Sequence, residues 1–178
     1  MIKVLIADDQ ELIRQSLSII LGLKEEISVV GGVGDGTEVL EFIAKEKPDI
    51  ILMDIEMETI NAGILAAEKI RDKNSEQKII FMTAHETNEM IITAMGTGAV
   101  DYLVKGEDSE EILSHIRNAF AGRATMNSRI QETIMREYSR LQRSERSLLF
   151  FIHNVSQLTA AERELVKLLL EGMKVKEI

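Results

Sequence analysis

Strand-like and helix-like segments alternate five times within the first 122 residues, and few folds accommodate that order. The strand-like runs are Ile2 to Ala7, Ile27 to Val33, Asp49 to Ile55, Lys78 to Thr83 and Val100 to Val104. Each is short and dense in Ile, Val and Leu, as strands buried on both faces are. Segments of helical period lie between them. Leu12, Leu17, Ile20 and Leu21 fall near one face of the first, and Val39, Leu40 and Ile43 mark the second, which Lys47-Pro48 ends. Ala66, Ala67 and Ile70 serve the third, and Met90, Ile91 and Ala94 the fourth. The fifth opens at Asp108-Ser109, with Glu110 and Glu111 in its first turn, and closes at Gly122. The order predicts an α/β fold, a doubly wound parallel sheet with helices on both faces.

Composition narrows the function classes. The chain has 178 residues and no cysteine, which excludes a disulfide scaffold, a cysteine-ligated zinc site and a thiol nucleophile. Apolar runs such as Leu148 to Ile152 are far short of the roughly 20 residues that span a bilayer. Met1-Ile2-Lys3 leads straight into a strand rather than a signal-peptide core, so a cytoplasmic protein without membrane contact is expected. Charge is uneven. Residues 1–122 carry 23 acidic and 11 basic side chains, and residues 123–178 carry 7 and 10. The acidic front half repels nucleic acid, so any contact with a phosphate backbone falls to the back half.

The polar residues gather at one edge. In an open parallel sheet, ligands bind beyond the carboxyl ends of the strands, where strand order reverses. Asp8 and Asp9 follow the first strand, Asp54 closes the third, Thr83 ends the fourth and Lys105 follows the fifth. Taken singly, Asp8-Asp9 also fits a helix cap and Lys105 a solvated lysine; five such groups at one edge point to a site. Three carboxylates together call for a cation, and an oxygen-only donor set favours a hard ion such as Mg²⁺. An aspartate beside such an ion and a lysine is a nucleophile for a phosphoryl group, and a hydroxyl such as that of Thr83 donates to the transferred oxygens.

Ile2 to Asp9, Ile51-Leu52-Met53-Asp54, Met82-Thr83-Ala84 and Tyr102-Leu103-Val104-Lys105 together resemble the receiver domain of two-component response regulators, over residues 1 to 122. The resemblance implies a flavodoxin-like receiver with strand order 2-1-3-4-5. It implies Asp54 as phosphoacceptor, and Mg²⁺ held by Asp8, Asp9, Asp54 and the backbone carbonyl of Glu56. Lys105 becomes the phosphate-pairing lysine, and Thr83 and Tyr102 the switch pair that moves together on phosphorylation. His85 and Glu56 stand where the family tunes hydrolysis of the acyl phosphate. A sensor histidine kinase is the implied donor, and a homodimer the implied product of phosphorylation.

The chain departs from the family pattern at Glu58, where proline is usual, at Ala62, where glycine is usual although Gly63 follows, and at Gly106 after the lysine. A more mobile or differently charged loop over the site is expected from these. A phosphatase of the aspartyl-phosphate type is rejected, because such enzymes place a second aspartate where Glu56 stands. The protein is thus expected to be no enzyme beyond its own phosphorylation and dephosphorylation at Asp54.

The back half divides into a helical linker, residues 123–155, and a segment 156–178. Arg123 to Arg146 holds six arginines and three glutamates, with Ile130, Ile134, Tyr138, Leu141 and Leu148 near heptad spacing: an amphipathic helix suited to packing on the front half or pairing with a second copy. From Leu158, Thr159 and Glu162 make a capping box before Leu165, Leu168 and Leu169, with Gly172 as the stop. This resembles the opening of the helix-turn-helix domain of NarL/LuxR-class regulators, which implies promoter DNA as a partner and transcription as the output. The recognition helix of that class follows the segment seen here, so the chain is expected to be truncated and these residues not to read bases themselves. The alternative is a phosphorylation-switched protein-interaction module without DNA binding.

Overall fold

Each of the five strand-like runs of the front half forms a strand in the computed structural model, which describes residues 1–123, 126, 128–157, 159 and 167. The strands are β1 (Ile2–Ala7), β2 (Ile27–Val33), β3 (Ile50–Asp54), β4 (Lys78–Thr83) and β5 (Asp101–Val104). Their partners are all parallel, in the order β2-β1-β3-β4-β5. The central β3 is buried from end to end, which is why its sequence shows no alternation.

The helices are α1 (Glu11–Gly22), α2 (Gly36–Lys45), α3 (Ala62–Lys73), α4 (Asn88–Gly96), α5 (Ser109–Phe120) and α6 (Ser128–Gln157). They give the sheet two cores. Val4, Ile6, Leu52 and Ile80 face Leu17, Leu21, Leu113 and Ile116 on one side. Leu5, Ile51, Met53 and Phe81 face Val39, Ala67, Ile70 and Ile91 on the other. The reversal of order lies between β1 and β3, so the carboxyl ends of these strands open a crevice there.

Two local expectations need correction. Leu12 does not join the buried face of α1; it is exposed, and Leu17 and Leu21 are buried. At 3.6 residues per turn Ile13, not Leu12, falls on the side of Leu17 and Leu21, and Ile13 is the half-buried member of the Leu12-Ile13 pair. Asp108 stands at the N-cap of α5 but its side chain makes no capping bond. Its backbone carbonyl instead accepts from the N–H groups of Glu111 and Ile112. Gly122 takes φ +72° after the last turn, the left-handed conformation that a helix-ending glycine supplies.

The chain divides into two compact units, Met1–Ile134 and Met135–Ile178. The first includes the opening turns of α6. Ile130 there is 1% exposed and shares a cluster with Ile91, Ala94, Ala99 and Tyr102. Arg129 pairs with Glu86 at 2.5 Å. In the second unit α6 exposes Tyr138, Leu141, Leu148 and Ile152 along one stripe, and Arg140 grips Glu137 through two hydrogen bonds. Among the described residues no helix is long and apolar enough to cross a membrane. The capping box and leucine stripe of segment 156–178 lie, apart from Thr159, outside the described residues.

Candidate functional site

The crevice collects the predicted edge residues. Asp8 extends β1 and Asp54 closes β3, and both are almost fully buried while Asp9 is exposed. One carboxylate oxygen from each of the three lies within 4.8 Å of the others. Lys105, past the end of β5, reaches in from the far side. Its Nζ donates a hydrogen bond to Asp54 Oδ2 at 2.6 Å and pairs with Asp8 Oδ2 at 2.6 Å. The Lys105 N–H donates to the Thr83 carbonyl at 2.6 Å, so the lysine is registered to β4 before its side chain turns toward the aspartates.

The electrostatics follow from burial and from this one cation. Burial pushes the Asp54 carboxyl up to about 6, even though Lys105 pulls the other way and the Glu56 N–H donates to its Oδ1. Burial also opposes the charge on Lys105, but the two carboxylates outweigh it and leave the ammonium above its usual range. Asp8 Oδ2 is buried and pairs with the Lys105 ammonium at 2.6 Å. An anionic oxygen so placed, in a cluster made of three carboxylates, suits a hard divalent cation. The cluster fits Mg²⁺.

The remaining predicted residues surround this centre without all pointing at it. The Glu56 backbone N–H is bound to Asp54 at 3.2 Å. Thr83 is fully buried, and its hydroxyl donates to the His85 carbonyl at 2.9 Å rather than to the aspartates. The His85 N–H returns a bond to the same hydroxyl at 3.2 Å, while the His85 side chain is exposed. Tyr102 is turned fully inward, 2% exposed, with no hydrogen-bond partner for its hydroxyl. Burial, with the Glu86 carboxylate next, pushes its phenol up to about 12.

Three contributors escaped the sequence. Arg14 on α1 donates to the Asp8 carbonyl at 2.6 Å and braces the turn that carries both aspartates; a lone arginine on an otherwise polar helix face carries no signal of that contact. Gly63 meets the end of β3 so closely that a Cβ there would stand 1.9 Å from the Asp54 carbonyl oxygen. The glycine usual at the Ala62 position is thus needed one residue later. Glu58 does not simply recharge the loop. Its carboxylate accepts from the Gly36 N–H at the first turn of α2, through both oxygens at 3.2 Å.

Comparison with known proteins agrees with this geometry. Residues 4–117 match the response regulator receiver domain. The oxygen regulatory protein NreC of Staphylococcus aureus is 28% identical over 176 residues, 99% of this chain and 80% of that protein. Among solved structures, a LuxR-family two-component response regulator from Aurantimonas sp. SI85-9A1 has a TM-score of 0.69 at 26% identity, covering 77% of this chain and 97% of that one. The response regulator domain of Thermotoga maritima CheB has a TM-score of 0.62 at 34% identity, covering 68% of this chain and 97% of its own.

Proposed function

Since the chain belongs to the response regulator receiver family, with LuxR-class relatives, we propose that it takes a phosphoryl group onto Asp54 from a phosphohistidine of a sensor kinase. The observation that carries this reading is the buried Asp54 carboxylate held between Lys105 and the Asp8–Asp9 pair.

Burial raises the Asp54 carboxyl only to about 6, below neutral pH, so its ionised form is the one that attacks. A carboxylate oxygen forms the new P–O bond. The N–P bond of the donor breaks, and its electron pair leaves with the imidazole nitrogen, which then takes a proton from solvent. Asp8, Asp9, Asp54 and the Glu56 carbonyl are the residues that would hold Mg²⁺. That ion, when bound, supplies positive charge to the phosphoryl oxygens. Lys105 supplies the second cation and is already in place. Thr83 must give up its bond to the His85 carbonyl to donate to the phosphoryl group. That rearrangement moves the backbone next to Glu86 and loosens the surroundings of Tyr102, which is how the new charge reaches the face of α4 and β5. His85 and Glu56 flank the site and set the lifetime of the acyl phosphate. The output we assign is control of transcription through a phosphorylation-dependent homodimer, with no reaction on a separate substrate.

Incubation with Mg²⁺ and acetyl phosphate, followed by intact mass and light scattering, tests the reading. One added phosphoryl group, absent from Asp54→Asn, with a rise toward dimer mass, is expected. No uptake by the wild-type chain refutes the phosphoacceptor role.

A further inference from the structure

The loop between β3 and α3 carries the carbonyl that the Mg²⁺ site needs, and its placement depends on a few tethers. Ile55 is fixed on both sides, its N–H donating to the Met82 carbonyl at 3.1 Å and its carbonyl accepting from Gly63 at 3.0 Å. Met57 is buried, and its N–H donates to the Thr59 carbonyl at 3.1 Å. Glu58, exposed in most of its surface, reaches away from its own loop to the Gly36 N–H.

The far anchor is itself well ordered. Gly36 opens α2, where the first N–H groups have no partner within the helix. Asp35 accepts from the Glu38 N–H at 2.8 Å, and Glu38 accepts from the Gly34 N–H at 2.7 Å. The Gly36 N–H falls to Glu58, from a segment 22 residues later. The fit is close: a Cβ on Gly36 would stand 3.3 Å from Glu58 Oε1 and 3.4 Å from the Ala62 carbonyl. The Glu58 carboxylate supplies the acceptor that this N–H lacks within the helix.

We propose that Glu58 is a positioning residue for Mg²⁺: by tying the loop after Asp54 to the first turn of α2, it keeps the Glu56 carbonyl where the ion needs it. The proposal rests on the phosphoacceptor reading for the identity of the ion and the role of Glu56. Physically the tether raises the fraction of molecules whose loop is competent to bind, and the apparent dissociation constant scales inversely with that fraction.

The test compares wild type with Glu58→Ala, which removes the acceptor, and Glu58→Gln, which keeps an acceptor and removes the charge. Mg²⁺ affinity is read by calorimetric titration, hydrogen exchange over residues 55–61 by mass spectrometry, and initial phosphoryl uptake from acetyl phosphate over a range of Mg²⁺. Glu58→Ala is expected to weaken Mg²⁺ binding about fivefold and to speed exchange in the loop, with uptake restored at saturating Mg²⁺. Glu58→Gln is expected to stay within about twofold of wild type. Unchanged affinity and exchange in Glu58→Ala would overturn the proposal, as would an uptake defect that saturating Mg²⁺ does not restore. Equal weakening in both variants would assign the effect to charge and overturn the tether. Absent phosphoryl uptake in wild type would remove the phosphoacceptor reading alone, since titration and exchange still decide what Glu58 does to the loop.

Discussion

Replacing Asp54 with asparagine should make the metal-free protein more stable, although it removes the proposed phosphoacceptor. Burial holds the Asp54 carboxyl near 6 in the fold, against about 3.8 for the same group in water. Because the folded value is the higher one, the protonated form favours folding. That contribution is complete below about 3.8 and gone above about 6. The Lys105 contacts are already counted, since they keep the value from rising further. By linkage the ionised carboxylate costs the fold about 3 kcal/mol at pH 7 and under about 1 kcal/mol at pH 4. An amide of the same shape carries neither cost. Urea denaturation followed by circular dichroism, with EDTA present, should therefore place Asp54→Asn above wild type by about 2 to 3 kcal/mol at pH 7, with the gap closing as pH falls. Added Mg²⁺ should narrow the gap at pH 7 by binding wild type. A variant no more stable than wild type at pH 7, or a gap independent of pH, would refute the claim that burial of charge dominates this site.

Three further outcomes follow from contacts described above. Gly63→Ala, whose new Cβ would stand 1.9 Å from the Asp54 carbonyl oxygen, should cost at least about 2 kcal/mol in urea denaturation. Tyr102→Phe deletes a buried hydroxyl that has no hydrogen-bond partner and should leave stability unchanged or raise it by up to about 1 kcal/mol in the same assay. His115 on α5 stands 2.6 Å from the buried Asp101 carboxylate, and that bond raises its basicity despite partial burial. The stability it contributes is complete below about 6.5 and lost as pH rises through the higher folded value. His115→Gln should accordingly destabilise more at pH 6 than at pH 9, measured as thermal midpoints across that range.

The strands were legible because burial on both faces leaves unbroken Ile, Val and Leu runs, as in Ile50 to Met53. The cluster of Asp8, Asp54 and Lys105 was legible because a parallel sheet brings the carboxyl ends of all its strands to one edge. Contacts between distant segments were not. Nothing in the spacing of Gly36 and Glu58 announces that one donates to the other, and Arg14 finds the Asp8 carbonyl only once α1 has docked. Ile130 reads as one position of a heptad stripe, yet it packs into the cluster of Tyr102, 28 positions earlier. Its period reveals a buried face without saying what buries it. Leu12 is a different case: the helical period places Ile13, not Leu12, beside Leu17, and the burial agrees.

The burial of Ile130 bears on how this chain can be dissected. A fragment ending at Gly122 would keep Asp8, Asp9, Asp54, Thr83 and Lys105, and by chemistry alone would count as whole. It would also lose the side chain that closes the cluster around Tyr102, Ile91 and Ala94, together with the Arg129 partner of Glu86. Any property measured on such a fragment would belong to a molecule with a different core beneath its tyrosine. A fragment carried through Ile134 retains both the carboxylate cluster and the packing around Tyr102.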